Sequence, residues 1–169
     1  MRPTLGRIFY INLMKYRRLT KEQFEELHQE FINFLATQSI TGEEWTKIKA
    51  EQPKVAEEEM DIFSDLVWEG VLGKVEFLEN IAPQHMYLFK IKEKTIALIG
   101  LKINSSSVDL TTRDGFSWLR ENLMSDEVEL FDAEKEVVGD KNLNIFELIE
   151  KGASITKGEL FKYFDQLIG

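Results

Sequence analysis

One six-residue pattern occurs five times in the chain and predicts where helices begin. It consists of an apolar residue, Thr or Asn, two unrestricted positions, an acid or amide, and a second apolar residue. The Thr or Asn oxygen can accept a hydrogen bond from a free backbone N–H of the first helical turn, and the acid or amide can accept from the capping residue's own N–H. The pattern occurs at LTKEQF (19–24), ITGEEW (40–45), LTTRDG (110–115), LNIFEL (143–148) and ITKGEL (155–160), the third without its final apolar residue.

The spacing of apolar residues after the first of these starts predicts a helical N-terminal half. The first helix is predicted over about residues 21–37 and the second over 42–51. A third and longest helix is predicted from about 54 to 80, behind Pro53. Apolar residues cover two sides of this helix, so it either lies centrally or also contacts a partner chain. The residues predicted for such an interaction surface are Trp68, Ile62, Leu66 and Phe77.

The apolar period changes from that of a helix to that of a strand in the middle of the chain. MYLFKI (86–91) and TIALIGLKI (95–103) flank a charged tripeptide and predict a β-hairpin, whose second strand is apolar on both faces and therefore an inner strand. VELF (128–131) predicts a third strand, and helices are predicted over about 112–124 and after the loop at 139–142. The predicted fold class is α+β, with three N-terminal helices followed by a small, mostly antiparallel sheet with flanking helices.

Charge is distributed unevenly along the chain, whose net charge is −9. Residues 1–21 hold six basic side chains and no acidic one, and residues 22–169 hold 15 basic and 30 acidic side chains. Such an acidic body repels phosphate backbones, so no nucleic-acid partner is expected for it. No run of about 18 apolar residues occurs, so no membrane span is expected. The absence of cysteine excludes disulfides and fits a reducing cytoplasm, where we expect the protein to reside.

Residue combinations that support catalysis or hold a cofactor are scarce. Glu25-x-x-His28 matches half of the helical motif of di-iron carboxylate proteins, and the second half is missing. Ser105–Ser107 and Asp109 lack the G-x-S-x-G turn that exposes a nucleophilic serine. Neither glycine-rich phosphate-binding motif occurs. We therefore predict no catalytic residue, no cofactor and no metal.

Three segments of the chain resemble a family of small proteins of Bacteroidetes. They are MKYRRLTKEQFEELHQEFINFLATQSITGEEW (14–45), IFSDLVWEGVLGKVEFLE (62–79) and IFELIEKGASIT (145–156). The resemblance is strongest before residue 80, and Gln38-Ser39 departs from it where the family has Gly before Ile. The family is a domain of unknown function, so the resemblance implies a bacterial, cytoplasmic protein and transfers no catalytic residue.

The length of the chain, its apolar periodicity and this resemblance together suggest how the chain is organised. Residues 14–169 are predicted to form a single domain, helical to about residue 82 and sheet-containing over 83–169. Because Met14 opens the family-like segment, we expect translation to start there and residues 1–13 to be an extension without a role in the fold. The basic arm of Lys15, Arg17 and Arg18 is expected to bind the chain's own acidic body.

Two kinds of function remain open from the sequence, besides nucleic-acid binding by the basic arm. The favoured one is a non-enzymatic protein-interaction or adaptor domain that binds a protein partner or a second copy of itself. The alternative is a small-ligand-binding protein or enzyme, with a carboxylate-based site between sheet and helices that uses Tyr87 or Ser105–Ser107. A deep pocket with converging polar groups would favour the alternative, and a filled interior would count against it.

Overall fold

The computed structural model describes residues 14–169 and divides the chain into two compact units. One unit ends at Gly73, and the other runs from Lys74 to Gly169. Helices build the first unit, and the second contains a five-stranded antiparallel sheet with flanking helices, so the predicted α+β class is confirmed. The single domain over residues 14–169 stays a prediction, and the predicted extension at 1–13 lies outside the described residues.

The first unit contains four described helices: α1 (Lys21–Glu26), α2 (His28–Ala36), α3 (Gly42–Glu51) and α4 (Pro53–Leu72). Thr20 and Thr41 cap α1 and α3 with complete capping boxes, as their hexads predict. The bounds of α3 are also as predicted. The first predicted helix, by contrast, is interrupted at Leu27, whose φ of −100° and ψ of 24° separate α1 from α2.

Aromatic rings form the core of the first unit. The Phe31 ring lies 5.5 Å from that of Phe24, 5.2 Å from that of Trp45 and 5.0 Å from that of Phe63. Leu19 and Ile40, the apolar residues that open the first two hexads, are buried in the same cluster. The hexads therefore both start helices and supply core residues, as the hydrophobic staple requires.

The third predicted helix is too long. α4 ends at Leu72, and Phe77–Ala82 form strand β1 instead. Phe77 and Leu78 are both buried, and neighbours in a strand point to opposite faces, so β1 is covered on both sides at that point. A short apolar run of this kind fits a helix and a doubly buried strand equally well, which explains the error.

The sheet of the second unit has the order β4-β3-β2-β1-β5, with every neighbouring pair antiparallel. The predicted hairpin is confirmed, and β3 is an inner strand between β2 and β4. β4 is five residues longer than predicted, and β5 was not predicted. The strands other than β1 are β2 (His85–Ile91), β3 (Thr95–Ile103), β4 (Val128–Glu136) and β5 (Ser154–Thr156).

Three described helices flank this sheet: α5 (Arg113–Asn122), α6 (Lys141–Glu150) and α7 (Glu159–Ile168). One side of the sheet, here called the core face, carries the buried residues of β2 and β3. Leu119 of α5 and Phe161 and Phe164 of α7 belong to the same apolar core as these residues. The opposite side, here called the α6 face, carries Phe89 and Leu98, which form a groove with α6.

The third hexad starts its helix one residue later than predicted. Thr112, and not Thr111, caps α5 by accepting the Gly115 N–H at 3.0 Å. The Asp109 carboxylate accepts both the N–H and the hydroxyl of Thr111, which keeps Thr111 in the preceding turn. A local side-chain bond therefore competes with the predicted cap.

The last two helices also begin with residues other than those predicted. Asp140 caps α6 three residues before its hexad, and the Asn144 side chain donates to the Asp140 carbonyl from inside the first turn. Gly158, with a φ of 83°, precedes α7, while the expected cap Thr156 belongs to β5. None of the helices in the described part of the chain has the length and apolar character needed to cross a bilayer.

Candidate functional site

The most open feature of the second unit is the outer edge of β4. Nine residues of β4 pair with β3, and no described strand pairs with the other side of β4. The opposite edge of the sheet, β5, is only three residues long. Residues 129–136 are all exposed. β4 is therefore a long strand supported on one side only.

Two backbone hydrogen bonds show which groups of β4 face β3. The Asn104 N–H donates to the Glu127 carbonyl at 2.8 Å, and the Val137 N–H donates to the Lys94 carbonyl at 2.9 Å. Both pairs continue the β3–β4 register, and bonded and non-bonded pairs alternate along an antiparallel ladder. The odd-numbered residues of β4 therefore bond to β3, and even-numbered residues direct their N–H and C=O groups outward. Beyond Val128, these outward residues are Leu130, Asp132, Glu134 and Glu136.

Side chains at this edge combine two apolar groups with a row of acids. Leu130 is 37% exposed and Phe131 is 44% exposed. A Cβ on Gly100, the partner of Phe131 in β3, would overlap the Phe131 ring, so the glycine lets that ring lie across the sheet. Asp132 and the two acids that follow at alternate positions lie on the core face, because their β3 partners do.

A groove on the core face brings these acids close to other charged groups. It has a volume of about 310 Å³ and is lined by Asp132, Glu134, Asp165, Lys90 and Lys92 among others. Lys92 Nζ lies 2.7 Å from Glu134 Oε1, and this hydrogen-bonded ion pair lowers the pKa of Glu134. The rim of the groove thus carries three carboxylates and two ammonium groups.

A second feature, in the first unit, is a segment that lies extended along α4. Residues 15–19, here called the strap, bond to side chains of α4 through their backbone. The Asp65 carboxylate accepts the Lys15 N–H at 2.9 Å and the Tyr16 N–H at 3.0 Å. The Ser64 hydroxyl accepts the Leu19 N–H at 3.0 Å. Asp65 and Ser64 are buried, so these bonds replace water for the strap backbone.

Side chains add to the attachment of the strap. Lys15 Nζ and the Tyr16 hydroxyl both reach Glu69 Oε2, at 3.0 and 2.9 Å. Arg18 Nε lies 2.6 Å from Asp61 Oδ1. The expectation that the basic arm binds the chain's own acids is therefore confirmed for Lys15 and Arg18.

A family model matches residues 14–169, the part of the chain that holds both the β4 edge and the strap. The chain belongs to DUF6495, a family of unknown function. The resemblance found in the sequence is thus confirmed as a relationship to a family of unknown function. No curated protein and no solved structure matches the DUF6495 chain.

Two segments that carried the resemblance meet in the DUF6495 strap. M-K-Y-R-R-L-T supplies the strap, and F-S-D within IFSDLVWEGV supplies Ser64 and Asp65. Trp68, from the same segment, donates its indole N–H to the Arg17 carbonyl at 3.1 Å, with the Arg17 guanidinium 5.1 Å from the ring centre. Sequence reasoning missed Ser64 and Asp65, although a Ser-Asp pair inside an apolar helix was a signal for buried polar contacts.

The predicted interaction residues of the DUF6495 chain do not share one element. Ile62, Leu66 and Trp68 lie on α4, where Leu66 is 55% exposed, Ile62 is half-buried and Trp68 contacts the strap. Phe77 lies in β1 and is 6% exposed, in the core of the second unit. The prediction that Phe77 belongs to the long helix is therefore wrong, and the interaction role of the other three stays a prediction.

The alternative site of the DUF6495 chain, between sheet and helices, has several possible places in the described second unit. One is the groove of the core face described above, which Asp165 of α7 lines together with Asp132 and Glu134. Another is the groove between the α6 face and α6, of about 330 Å³, which is lined by Phe89, Ile96, Leu98 and Leu148 among others. A third, of about 360 Å³, lies beside Glu79 and Glu159. Burial raises the pKa of Glu79, and the negative charge of Glu159 raises it further.

Other residues singled out in the DUF6495 sequence stand apart from these features. Tyr87 is half-buried, and its ring stacks on that of His85 at 6.1 Å between ring centres. The Ser105 and Ser107 hydroxyls bond to each other at 2.9 Å. Within residues 14–169 no three His, Asp or Glu side chains are grouped so as to hold a metal ion.

The Tyr16 hydroxyl should make the stability of the DUF6495 chain fall at high pH. Burial, reinforced by the bond to Glu69, raises the pKa of Tyr16 from 10.0 to about 12. A group whose pKa is raised by folding contributes its full stability below the unfolded pKa and loses that contribution as pH rises to the folded pKa. Urea unfolding should therefore show a loss of stability between about pH 10 and pH 12 that is smaller in Tyr16→Phe. An equal loss in both proteins would contradict this assignment.

Proposed function

We propose that this chain is a non-enzymatic protein-interaction domain whose docking surface is the outer edge of β4. The observation that carries the proposal is the outward direction of the backbone groups of alternate residues along β4, whose residues 129–136 are exposed. An extended segment of another protein can add to such an edge as a further strand, with main-chain hydrogen bonds that supply affinity.

The composition of β4 supports docking more than simple protection of an edge. Proteins commonly guard free edges with short strands, charged side chains (especially Lys), Pro or bulges. β4 contains no Pro, pairs with β3 in regular register, and holds one Lys among its nine residues. It also exposes Leu130 and Phe131, which offer apolar contact to an incoming strand. Among the features that usually protect a free edge, β4 has only charged side chains in number.

Site-specific photo-cross-linking in the source cell tests this function. Phe131 is replaced by benzoylphenylalanine in one variant, and Tyr163 of α7 is replaced in a matched control, since the two side chains are 44% and 45% exposed. The proposal predicts a discrete protein adduct from position 131 that is absent from position 163. No adduct at 131, or the same adducts from both positions, would contradict it.

The α4 surface predicted from the sequence is a second docking surface for the same function. Ile62 and Leu66 are one helical turn apart, and exposed Gly70 continues their line with open space above its backbone. A partner helix could approach closely there. Benzoylphenylalanine at position 66 should then give its own adduct. Loss of this adduct in Ile62→Glu and its retention in Asp132→Pro, a change at the β4 edge, would separate the two surfaces.

Ligand binding is the second candidate function, and the groove beside α6 is the observation that favours it. Its volume of about 330 Å³ is at the small end of ligand sites, and its walls are largely apolar. The Asn144 amide, a polar group at this groove, already donates to the carbonyls of Val138 and Asp140. The test compares the binding of a fluorescent apolar dye to the unchanged protein and to the Leu148→Trp variant. Weaker dye binding by the variant would support the ligand role, and equal binding would oppose it.

We propose that the protein resides in the cytoplasm of a bacterium of the Bacteroidetes. The cysteine-free composition and the resemblance of residues 14–45 and 62–79 support this proposal. Fractionation of such a bacterium tests it. Recovery with the cytoplasmic fraction is the expected result, and recovery with the periplasm or the membranes would contradict the proposal.

A further inference from the structure

We infer that the partner of the β4 edge is an extended protein segment with basic side chains at alternate positions. This inference rests on the proposed function, because it specifies what binds at the same edge. The outward residues Asp132, Glu134 and Glu136 follow one another at two-residue intervals and project to one face of the sheet. A strand added beside them would place its own alternate side chains next to this acidic row.

The surroundings of the row hold both signs of charge, with the carboxylates in excess. Asp165 of α7 lines the same groove as Asp132, so this surface has four carboxylates against the ammonium groups of Lys90 and Lys92. Lys92 forms an ion pair with Glu134, but Asp132 and Glu136 form no ion pair within the described residues. Incoming ammonium or guanidinium groups would therefore find two unpaired carboxylates spaced four residues apart along the strand.

Leu130 gives the site a direction. It is the first outward residue beyond Val128, it is partly exposed, and the acids follow it along β4. A matching segment should therefore carry one apolar residue opposite Leu130 and basic residues opposite the three acids. In an antiparallel strand, the pairing found throughout this sheet, the basic residues precede the apolar one. The exposed Phe131 ring, on the other face, adds apolar contact near the same end.

The same charges disfavour a second copy of this chain as the occupant. Pairing two β4 edges antiparallel would bring the acidic rows of both copies onto adjacent strands. Like charges opposite each other across strands are destabilising. Charge complementarity thus favours a basic partner segment over self-pairing.

Synthetic peptides provide the test on the whole protein. One eight-residue peptide carries Lys at three alternate positions followed by an apolar residue, separated by Thr, which is the order that antiparallel addition to β4 requires. A second peptide replaces each Lys by Glu, and a third repeats the Lys peptide with N-methyl groups on the backbone amides that would face β4. Fluorescence anisotropy at low salt should show the Lys peptide binding at least about tenfold more tightly than either control.

Variants of the protein separate strand pairing from general charge attraction. Asp132→Pro removes an outward N–H without removing a bond to β3, because Asp132 is not a bonded partner of that strand. It should abolish binding of the Lys peptide. The double variant Asp132→Asn/Glu136→Gln keeps every backbone group and should reduce the preference for Lys over Glu peptides. Thermal unfolding of each variant confirms that the protein remains folded.

Three results would overturn the inference. Binding that survives both Asp132→Pro and N-methylation would be charge attraction without strand addition. A dimer that Asp132→Pro dissociates would make the second copy the occupant. Failure of the Lys peptide, or equal binding of the Lys and Glu peptides, would remove the basic partner. If the peptide test fails in this way, the photo-cross-linking experiment still tests the proposed function by itself. A protein adduct at position 131 that is lost in Asp132→Pro would support the proposed function, and the lack of any adduct would oppose both the function and the basic partner.

Discussion

Replacing Asp65 by alanine is expected to lower the free energy of unfolding by about 3 kcal/mol, since a hydrogen bond to a charged group contributes about 1.5–3 kcal/mol. The Asp65 carboxylate is 5% exposed and accepts two successive backbone N–H groups of the strap. Alanine would leave both donors without this acceptor. Urea unfolding, monitored by tryptophan fluorescence, measures the change.

Two further variants identify the cause of the Asp65 effect. Asp65→Asn keeps the size and one acceptor oxygen, so its loss of stability should be smaller than that of Asp65→Ala. Glu51→Ala removes an exposed carboxylate from the neighbouring helix α3 and should change stability little. A loss in Asp65→Ala no larger than in Glu51→Ala would show that the bonds of Asp65 to the strap contribute nothing to stability.

Replacing Gly115 by alanine is expected to cost about 2–3 kcal/mol, in the range for inserting an atom into a filled site. A Cβ at Gly115 would overlap the backbone carbonyl of Asp109, which cannot rotate away as a side chain can. The loop before α5 would have to move, together with the Thr112 cap. Chemical unfolding of the variant provides the measurement.

Gly70→Ala is the matched control and should have the opposite sign. Gly70 lies inside α4, exposed, with nothing within 4 Å of a Cβ built on its backbone. The higher helix propensity of alanine should therefore stabilise the protein by about 0.5–1 kcal/mol. Equal effects of the two substitutions would contradict the packing described at Gly115.

Helix starts could be predicted from sequence where the determinants lie within one turn. Thr20 and Thr41 each find their partner three residues away, and both caps form as expected. The other three hexads predicted the wrong capping residue, because neighbouring residues cap the helix or bind the predicted cap instead. Asp109 holds Thr111, and Asp140 starts α6 before Asn144 can cap it.

The end of α4 and the presence of β5 depend on partners far away in sequence. β5 has only three residues and exists as a strand because it pairs with Phe77–Glu79 of β1. The apolar residues around Phe77 satisfy helical spacing, and only pairing with β2 and β5 makes them a strand. Local periodicity carries no information about such pairings.

The candidate site was the least predictable part of the structure. VELF (128–131) indicated a strand, but its place at the edge follows from the order of all five strands. Which residues of β4 face outward follows from the β3–β4 register, which no local pattern encodes. The strap was anticipated in part, through the basic charge of Lys15 and Arg18, whereas the buried acceptors on α4 were not.

Residue-by-residue amide hydrogen exchange, measured by NMR with and without the Lys peptide, tests the docking role of β4 most directly. In the free protein, the amides of Leu130, Asp132, Glu134 and Glu136 should exchange quickly, and those of the intervening residues should be protected by β3. Added peptide should protect the four outward amides and leave the inward ones unchanged. Outward amides that remain unprotected when the peptide is bound would contradict strand addition at this edge.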